Sequence, residues 1–496
     1  MSDPATHGGS PVERIDTHSA AVFLAGDRAY KLKRAVWFPF LDFSTLERRH
    51  AAAEAELRLN RRTAPEIYQA VLPVTREADG RLALAGAGEP LDWVVAMRRF
   101  DQAGLFDRMA VEGRLDRDLT LALADSVAAF HAAAERSAER GGAAIMRWVI
   151  RDNAEELAPC GDAAATLLRQ SLAALDRVAP LLDARRAAGF VRRCHGDLHL
   201  RNICLIDGRP ALFDAIEFND DLSCIDVLYD LAFLLMDLIH RGRRDLANMV
   251  LNRYLARTGD IGGLPALPLF LSVRAAVRAK VMRAAASQAQ AGAGPLTAEA
   301  DRYLDLAREC LMPAPLRLVA VGGEPGAGKS TLAERLAPLL GGALGAVVLR
   351  SDVIRKQMFD RDILSRLPEA AYSDEASRHV FGRLCQEGQQ VLDAGFPLVA
   401  DATFAARGDR ADIALVAAAA GVPFTGFWLE APMPLRTERV AARRRDPSDA
   451  TVDLLPRFRA DPPDESGWHR LDAASGASAV ADSARAILGG PLLSQG

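Results

Sequence analysis

The chain has few of the features that mark secreted and membrane proteins. Six cysteines occur in 496 residues, and they form neither a CxxC pair nor a compact disulfide framework. This pattern favours scattered, reduced thiols. The N-terminus, MSDPATHGGSPVERID, is polar and lacks the apolar core of a secretory signal. The most apolar stretch near mid-chain, VLYDLAFLLMDLIH, carries Asp230 and Asp237 and is too short to cross a bilayer of about 30 Å. We therefore expect a cytoplasmic protein that does not associate with membranes.

An excess of charge of one sign is also missing. Sixty-five acidic residues face sixty-one basic ones, for a formal net charge of -4. The composition therefore argues against nucleic acid as a partner. No repeat of about 20–50 residues is visible, which argues against a solenoid. At about 100–200 residues per domain, the length predicts two or three domains.

A change of pattern near residue 313 divides the chain. The segment CLMPAPLRL holds two prolines in three residues just before a new strand and predicts a linker at 313–316. Beyond it, four apolar strands alternate with helix-length segments: LRLVAVGG, GAVVLRSD, PLVADATF and FTGFWLEA. Such alternation is typical of a parallel sheet with crossovers. We predict a disordered tail at 1–14, a first domain at 15–312 and a second domain at 317–496.

The second domain begins with a phosphate-binding motif. GEPGAGKS fits G-x-x-x-x-G-K-[ST] at every fixed position, between an apolar strand and a helical run, which is the context that the motif needs. The alternative is a chance glycine-rich turn. In the motif, Lys329 reaches the terminal phosphates and the Ser330 hydroxyl binds Mg²⁺, while backbone N–H groups curl around phosphate oxygens. The predicted nucleotide-binding residues are Gly323, Glu324, Pro325, Gly326, Ala327, Gly328, Lys329, Ser330 and Thr331.

Further polar groups in the second domain are candidates for chemistry. Asp352 lies where a strand meets a helix, so its carboxylate can accept the proton of an attacking hydroxyl or simply cap the helix. Arg355 could hold an anionic group of the substrate or the transferring phosphate. Asp401, at the end of a strand, is a candidate metal ligand or a turn residue. One helical face could close over phosphates as a lid, or be a solvated surface; it comprises Arg436, Arg439 and Arg443.

The second domain resembles the small P-loop kinases that include gluconate kinase, polynucleotide kinase, chloramphenicol phosphotransferase and zeta toxin. The resemblance covers about residues 316–496 and rests on GEPGAGKS, SDxxR, DATF and the arginine-rich segment ending RRRDPSDA. It implies that Asp352 activates a substrate hydroxyl and that Arg439 and Arg443 clasp ATP. It does not identify the phosphate acceptor.

In the first domain, the octapeptide HGDLHLRN concentrates polar side chains. A metal site would use His195, Asp197 and His199, but no further Cys/His cluster stands nearby to complete a ligand shell. A polar turn without a chemical role is another alternative. The spacing H-x-D-x-x-x-x-N is that of a kinase catalytic loop, and Asp214 follows Asn202 by twelve residues. In such loops the Asp197 position orients and deprotonates the acceptor hydroxyl, while the Asn202 and Asp214 positions hold Mg²⁺.

The first domain resembles the aminoglycoside phosphotransferase-like branch of the protein-kinase fold over roughly residues 15–305. The resemblance rests on HGDxHxxN, LFDAIEF and DVLYDLA, whose second aspartate, Asp230, is implied to anchor the catalytic loop from a buried helix. His195 and His199 are then expected to hold Asp197 in place. The chain departs from the protein-kinase pattern at its N-terminus, where no GxGxxG loop is present.

The resemblance also implies a lysine that contacts ATP and a glutamate that pairs with it. The lysine should lie on the second strand of an N-terminal hairpin, where Lys31 and Lys33 alternate onto one face. We favour Lys31 over Lys33. For the partner on the following helix, we favour Glu56 over Glu54.

These patterns predict an α+β, bilobal, protein-kinase-like domain followed by an α/β P-loop kinase domain. The arrangement resembles bacterial chains described as bifunctional aminoglycoside phosphotransferase/ATP-binding proteins. We expect each domain to transfer the ATP γ-phosphate to a hydroxyl of a small molecule, with ATP and Mg²⁺ as cofactors. Alternatively, the second domain phosphorylates nucleic-acid ends or, like a toxin, nucleotide sugars, with the first domain regulatory. The acceptors, the coupling of the domains and the oligomeric state stay open.

Overall fold

The computed structural model of the chain describes residues 1–17, 19–38, 41–289, 292–458, 460, 462–464 and 466–489. The chain divides into two compact units. The first comprises Met1–Arg241 with Val273–Lys280, and the second comprises Gly242–Ser272 with Val281–Gly496. The linker expected at 313–316 falls inside the second unit, so the domain bounds drawn from the sequence stay a prediction.

The first unit begins with a six-stranded antiparallel sheet and one helix. The sheet order is β1-β2-β3-β8-β6-β7, and β4 and β5 form a separate hairpin. The elements are β1 (Val12–Asp16), β2 (Ala20–Ala25), β3 (Arg28–Lys33), β4 (Trp37–Phe38), β5 (Leu41–Asp42), α1 (Leu46–Asn60), β6 (Tyr68–Arg76), β7 (Leu82–Leu84) and β8 (Glu89–Arg98).

The N-terminal residues differ from the disordered tail expected at 1–14. A 3-10 helix forms at Pro4–His7, because the Asp3 carboxylate accepts a hydrogen bond of 2.9 Å from the Ala5 N–H group. Strand β1 then pairs with β2, with Val12 opposite Ala25. Pairing with β2 satisfies backbone groups that a disordered tail would leave to water.

Helices dominate the remainder of the first unit. Strand β9 pairs with β12, and β10 with β11, all antiparallel. The elements are α2 (Phe106–Val111), α3 (Arg117–Ala133), α4 (Gly142–Leu157), α5 (Asp162–Ala187), β9 (Val191–Arg193), β10 (Ile203–Ile206), β11 (Arg209–Leu212), α6 (Asp220–Ser223), β12 (Cys224–Asp226) and α7 (Val227–His240), with 3-10 helices at Gln102–Gly104, Ala158–Cys160 and Leu200–Asn202.

Helix α7 is the central element of this helical part. Every residue from Val227 to Ile239 is buried, so the helix is apolar on all sides apart from its two aspartates. A side-chain cap begins it: the Asp226 carboxylate accepts a hydrogen bond of 2.9 Å from the Leu228 N–H group. Asp226 also binds Arg185 of α5 through two hydrogen bonds of 2.7 and 2.9 Å, and both side chains are buried.

The second unit contains a parallel five-stranded sheet in the order β14-β15-β13-β16-β17. Its elements are α8 (Arg244–Thr258), α9 (Leu267–Gln288), α10 (Ala293–Glu309), β13 (Leu318–Gly323), α11 (Lys329–Leu336), β14 (Val347–Arg350), α12 (Ser351–Met358), α13 (Asp374–Asp393), β15 (Leu398–Asp401), α14 (Arg407–Ala419), β16 (Phe424–Glu430), α15 (Met433–Ala442), β17 (Trp468–Asp472) and α16 (Ala477–Leu488), with 3-10 helices at Ile261–Ala266, Ala337–Leu339, Glu369–Tyr372, Val452–Arg457 and Ala473–Ser475. Residues 273–280 of α9 belong to the first unit.

The four strands predicted for the parallel sheet are confirmed as β13 to β16. Their apolar residues, among them Val319, Val321, Val399 and Phe427, form a fully buried core, as expected for a sheet covered on both faces. Strand β17 was not predicted, because its segment WHRLD lacks an apolar run, and most of its residues are exposed in the sheet.

One helical stretch of the described residues, Ile261–Gln288, is long and apolar enough to cross a membrane by length and composition alone. Its most apolar window is 72% buried. Core helices pass the same test, so this stretch is weak evidence for a membrane span.

The buried ion pair of α5 and α7 generates a prediction about stability. Asp226→Ala should destabilise the protein by about 3–5 kcal/mol, because it leaves the buried Arg185 guanidinium without this carboxylate. Urea unfolding of the full-length variant, followed by circular dichroism, measures the loss.

Arg147→Ala is the matched control, since it breaks an ion pair with Asp176, whose side chain is 63% exposed. It should change the free energy of unfolding by less than about 1 kcal/mol. Equal losses in the two variants would contradict the role assigned to burial.

Candidate functional site

A buried carboxylate anchors the octapeptide loop of the first unit. Asp230 of α7 accepts hydrogen bonds from the backbone N–H groups of His195 at 3.0 Å and Gly196 at 2.8 Å. Its Oδ2 also lies 3.1 Å from Nε2 of His131. Asp230 is fully buried, so these contacts satisfy a charge that water cannot reach. The prediction that Asp230 anchors the loop is confirmed.

Glycine is required at the bend of this loop. Gly196 has a φ of +83°, and a Cβ atom there would lie 2.9 Å from the Leu222 carbonyl oxygen. A larger residue would therefore move the backbone next to Asp197.

A second aspartate of the same helix holds the other end of the loop. Asp237 lies two turns after Asp230, and its Oδ2 accepts a hydrogen bond of 3.0 Å from the Leu200 N–H group. Its Oδ1 accepts a hydrogen bond of 3.1 Å from Arg241. The two aspartates thus fix the loop at both ends from one rigid, buried helix.

Between these anchors, Asp197 and Asn202 are in contact. The Asn202 side-chain amide donates to the Asp197 carboxylate at 2.9 Å and to its carbonyl at 3.0 Å, and Nε2 of His199 lies 3.4 Å from the carboxylate. Burial alone would raise the pKa of the Asp197 carboxyl, but His199, His195 and Arg278 lower it below its usual range. Asp197 is therefore ionised at neutral pH.

Hydrogen bonds join this loop to the turn that carries Asp214. The Phe213 N–H group donates to the Asn202 carbonyl at 2.9 Å, and Nε2 of His195 donates to the Phe213 carbonyl at 2.9 Å. The Asp214 N–H group donates to the Tyr68 hydroxyl at 3.1 Å. Asp214 has a φ of +64°, a left-handed conformation that aspartate and asparagine tolerate better than most residues.

Two lysines of β3 share one glutamate. Lys31 lies 2.9 Å from Glu56 and 2.5 Å from the Asp214 carboxylate. Lys33 lies 2.7 Å from the other oxygen of Glu56 and forms a second ion pair with Glu217. Burial would raise the pKa of Glu56, but Lys31 and Lys33 lower it to about 2. Lys31 alone of the two contacts the predicted metal-binding aspartate, whereas Lys33 is buried.

In the second unit, the phosphate-binding motif forms a tight loop between β13 and α11. Gly326 has a φ of +82°, and a Cβ atom there would lie 2.8 Å from the Arg436 carbonyl oxygen. The Lys329 ammonium donates to the Glu324 carbonyl at 3.1 Å, and burial lowers its pKa despite the nearby carboxylates of Asp401 and Asp352. The loop therefore presents a half-buried cation whose charge an anionic ligand would stabilise.

Ser330 and Asp401 provide neighbouring oxygen atoms at the end of the sheet. Both side chains line one cavity, and burial raises the pKa of the Asp401 carboxyl. A hydroxyl beside a carboxylate is a set of hard oxygen ligands that suits Mg²⁺. In the first unit, the Asp214 carboxylate is 43% exposed and lies next to the Asn202 loop, so its oxygens also suit this ion.

Arg350, at the end of β14, connects Asp401 to the segment after α15. Its guanidinium lies 3.3 Å from Asp401 and donates to Asp446 at 3.1 and 3.2 Å. The Arg443 side chain lies 4.0 Å from the same aspartate. The predicted lid segment is thus held close to Asp401, the predicted metal ligand.

Helix α15 contacts the phosphate-binding loop directly. Arg439 donates to the Ala327 carbonyl at 3.1 Å and to the Ala473 carbonyl at 2.9 Å. Arg436 is buried and lies 3.0 Å from the Glu324 carboxylate. The predicted basic face is therefore not a solvated surface, since its arginines bind the loop and its surroundings.

A cavity of about 1030 Å³ brings these groups of the second unit together. Asp352 faces it from the start of α12. Arg355 lines it too, although its guanidinium donates to the Ala371 carbonyl at 2.6 Å and stacks on the Tyr372 ring at 4.9 Å. Other predicted residues that line the cavity are Pro325, Gly326, Ala327, Gly328, Lys329, Ser330, Thr331, Asp401, Arg439 and Arg443.

Sequence reasoning missed three residues of these sites. Glu217 stands within LFDAIEF, and Asp237 follows Asp230 by seven residues, so both offered a signal: a charge inside an apolar segment. Arg350 offered none. Glu54, the alternative to Glu56, is exposed, and its carboxylate lies 3.7 Å from His50.

The fold and the two sites define a phosphotransferase joined to a P-loop kinase-like domain. The model of the phosphotransferase enzyme family, APH, matches residues 18–269, and that of an AAA domain matches residues 318–461. The chain belongs to the phosphotransferase enzyme family. The two matched families support ATP-dependent phosphoryl transfer in general.

Relatives and solved structures give the following similarities. Uncharacterised proteins of Mycobacterium tuberculosis and Mycobacterium bovis are each 33% identical over 479 residues, which cover 92% of both chains. The choline kinase from Cryptosporidium parvum is 11% identical and covers 62% of this chain and 90% of its own, with a TM-score of 0.40. A sugar kinase from Janibacter is 21% identical, and the match covers 35% of this chain and 95% of that kinase, with a TM-score of 0.28.

The two anchors of the octapeptide loop generate a prediction about dynamics. Asp237→Ala leaves the Leu200 N–H group without its acceptor, which costs about 1–3 kcal/mol. Amide hydrogen exchange of peptides covering 195–202 should therefore become about 5- to 100-fold faster. Mass spectrometry of the full-length protein measures this.

Asp245→Ala is the control, because this aspartate pairs with Arg243 at the surface. It should leave exchange at 195–202 unchanged. If Asp237→Ala has no effect on these peptides either, the loop does not depend on this anchor.

Proposed function

We propose that the protein is a bifunctional kinase with two separate centres. Each centre would transfer the ATP γ-phosphate to a hydroxyl of a small molecule, with Mg²⁺ present. The observation that supports the proposal is shared by the two units: in each, aspartates, a lysine and further side-chain oxygen atoms lie close together.

In the first centre, we assign the proton transfer to Asp197. Its lowered pKa keeps it ionised, so it can orient an acceptor hydroxyl and take its proton as the oxygen attacks. Asn202, 2.9 Å away, fixes the direction of the carboxylate. Lys31, held by Glu56, would contact ATP phosphates.

In the second centre, Asp352 would take the proton of the acceptor. Lys329 and the backbone of residues 323–331 would hold the phosphates, and Arg439 and Arg443 would neutralise charge on the transferring group. Arg355 would line the acceptor side of the cavity, with much of its hydrogen-bonding capacity already used.

Magnesium would be held by Asn202 and Asp214 in the first centre and by Ser330 and Asp401 in the second. It would supply positive charge that offsets the charge developing on the transferred phosphate. The cytoplasm suits this activity, since ATP is available there. The six cysteines, all within the described residues, are free of disulfides.

Single-centre variants test the proposal. Asp197→Asn should lower kcat of the first centre by about 100- to 10,000-fold, because a general base is lost, and should leave ATP binding nearly unchanged. Lys329→Ala should instead weaken ATP binding at the second centre. The double variant should lose nearly all transfer, with at most about 1% remaining at the first centre. Radiolabelled ATP with a panel of sugars, amino alcohols and a 5′-hydroxyl oligonucleotide measures transfer.

Asp207→Asn and Arg335→Ala are the controls, because Asp207 is on the exposed end of the β10–β11 hairpin and Arg335 is on the exposed side of α11. Both should keep full activity. Undiminished transfer in the double variant would contradict both assignments, and transfer to the oligonucleotide alone would replace the small-molecule acceptor of the second centre.

A further inference from the structure

Helix α8 lies along the outer edge of the parallel sheet of the second unit. Strand β14 is the edge strand, with β15 on one side. An edge strand leaves every second backbone N–H and C=O group without a neighbouring strand. In this unit, side chains of α8 supply the partners.

Two asparagines, one helical turn apart, act in place of a strand. The side-chain oxygen of Asn252 accepts a hydrogen bond of 2.7 Å from the Val348 N–H group, and its amide donates to the Ala346 carbonyl at 3.2 Å. The Asn248 amide donates to the carbonyls of Leu344 at 2.7 Å and Ala346 at 2.9 Å. Asn248 is buried, and the two side chains are hydrogen-bonded at 3.0 Å.

The end of α8 holds the helix that follows β14. The Gln357 side-chain amide of α12 donates to the Ala256 carbonyl at 3.0 Å, and Arg257 forms an ion pair with Asp362. Asp352 lies between Val348 and Gln357 in the sequence. The strand-to-helix turn that carries Asp352 is therefore fixed by α8 on both sides.

We propose that Asn248 and Asn252 are positioning residues for the second centre, acting through the placement of Asp352. This inference rests on the proposed function of that centre. Helix α8 lies outside the 318–461 match to the AAA domain and inside the 18–269 match to the phosphotransferase family. The second centre thus depends on a segment that the family boundaries assign to the other domain.

The contacts of α8 distinguish two parts of the second centre, the turn that carries Asp352 and the phosphate-binding loop. The hydrogen bonds of Asn248 and Asn252 reach Leu344, Ala346 and Val348, at the strand that leads to Arg350 and Asp352, and their partners do not belong to the phosphate-binding loop at residues 323–331. Replacement of the two asparagines should therefore slow proton transfer without weakening ATP binding. A displacement of about 1 Å at a reacting group can cost about 100-fold in rate.

The test uses the full chain with Asp197→Asn, which silences the first centre. In this background, Asn252→Ala and Asn248→Ala should lower kcat by about 10- to 100-fold, with the Kd for MgATP changed less than about twofold. Asn252→Asp keeps an oxygen for the Val348 N–H group and should recover part of kcat. Asp245→Ala, on the exposed face of the same helix, should keep full kcat.

Either of two results would overturn the inference: an unchanged kcat in both alanine variants, or a loss of ATP binding that matches the loss of kcat. If the Asp197→Asn parent itself shows no turnover with any acceptor or with water, the proposed function fails at this centre. Hydrogen exchange then decides about α8. Asn252→Ala should speed exchange at 346–358 and leave 318–331 unchanged, and an unchanged rate at 346–358 refutes the role of α8.

Discussion

The first centre depends on burying two carboxylates in an apolar helix. Taking Asp230 and Asp237 out of water is costly, and the cost is offset only if hydrogen-bond donors meet each oxygen. The donors are mostly backbone N–H groups of the octapeptide loop, so the helix and the loop stabilise each other. The position of Asp197 follows from this arrangement, as do the hydrogen bonds that lead from the loop to Asp214.

The second centre positions its charged groups in a different way from the first. Its loop is shaped by glycine conformations and by the start of α11. Burial lowers the pKa of Lys329, so an anionic ligand beside it would stabilise its charged form. Here Arg350, at a strand end, joins the Asp401 carboxylate to the segment after α15. Both centres therefore place cations by means of carboxylates that belong to other elements.

Much of the fold and of the two candidate sites could be predicted from the sequence where the signal is local. The pairs Asp197 with Asn202 and Lys329 with Ser330 are each set by a short motif, and the parallel sheet by four apolar strands. Long-range partners could not be predicted in the same way. Lys31 and Lys33 alternate onto one face, and only the tertiary contacts of Asp214 and Glu217 distinguish them. The role of α8 has no local pattern, since two asparagines one turn apart are compatible with any surface helix.

The left-handed backbone at Asp214 has a consequence for how such chains diverge. Asparagine adopts this conformation about as readily as aspartate, so an Asp214→Asn chain would keep its turn and its hydrogen bond to Tyr68 while losing the negative charge. The exchange would also remove the ion pair between Lys31 and the Asp214 carboxylate, so its cost to stability would come from a lost charge pair and not from the backbone. Related chains can therefore keep this turn with either residue and differ in the charge that it carries.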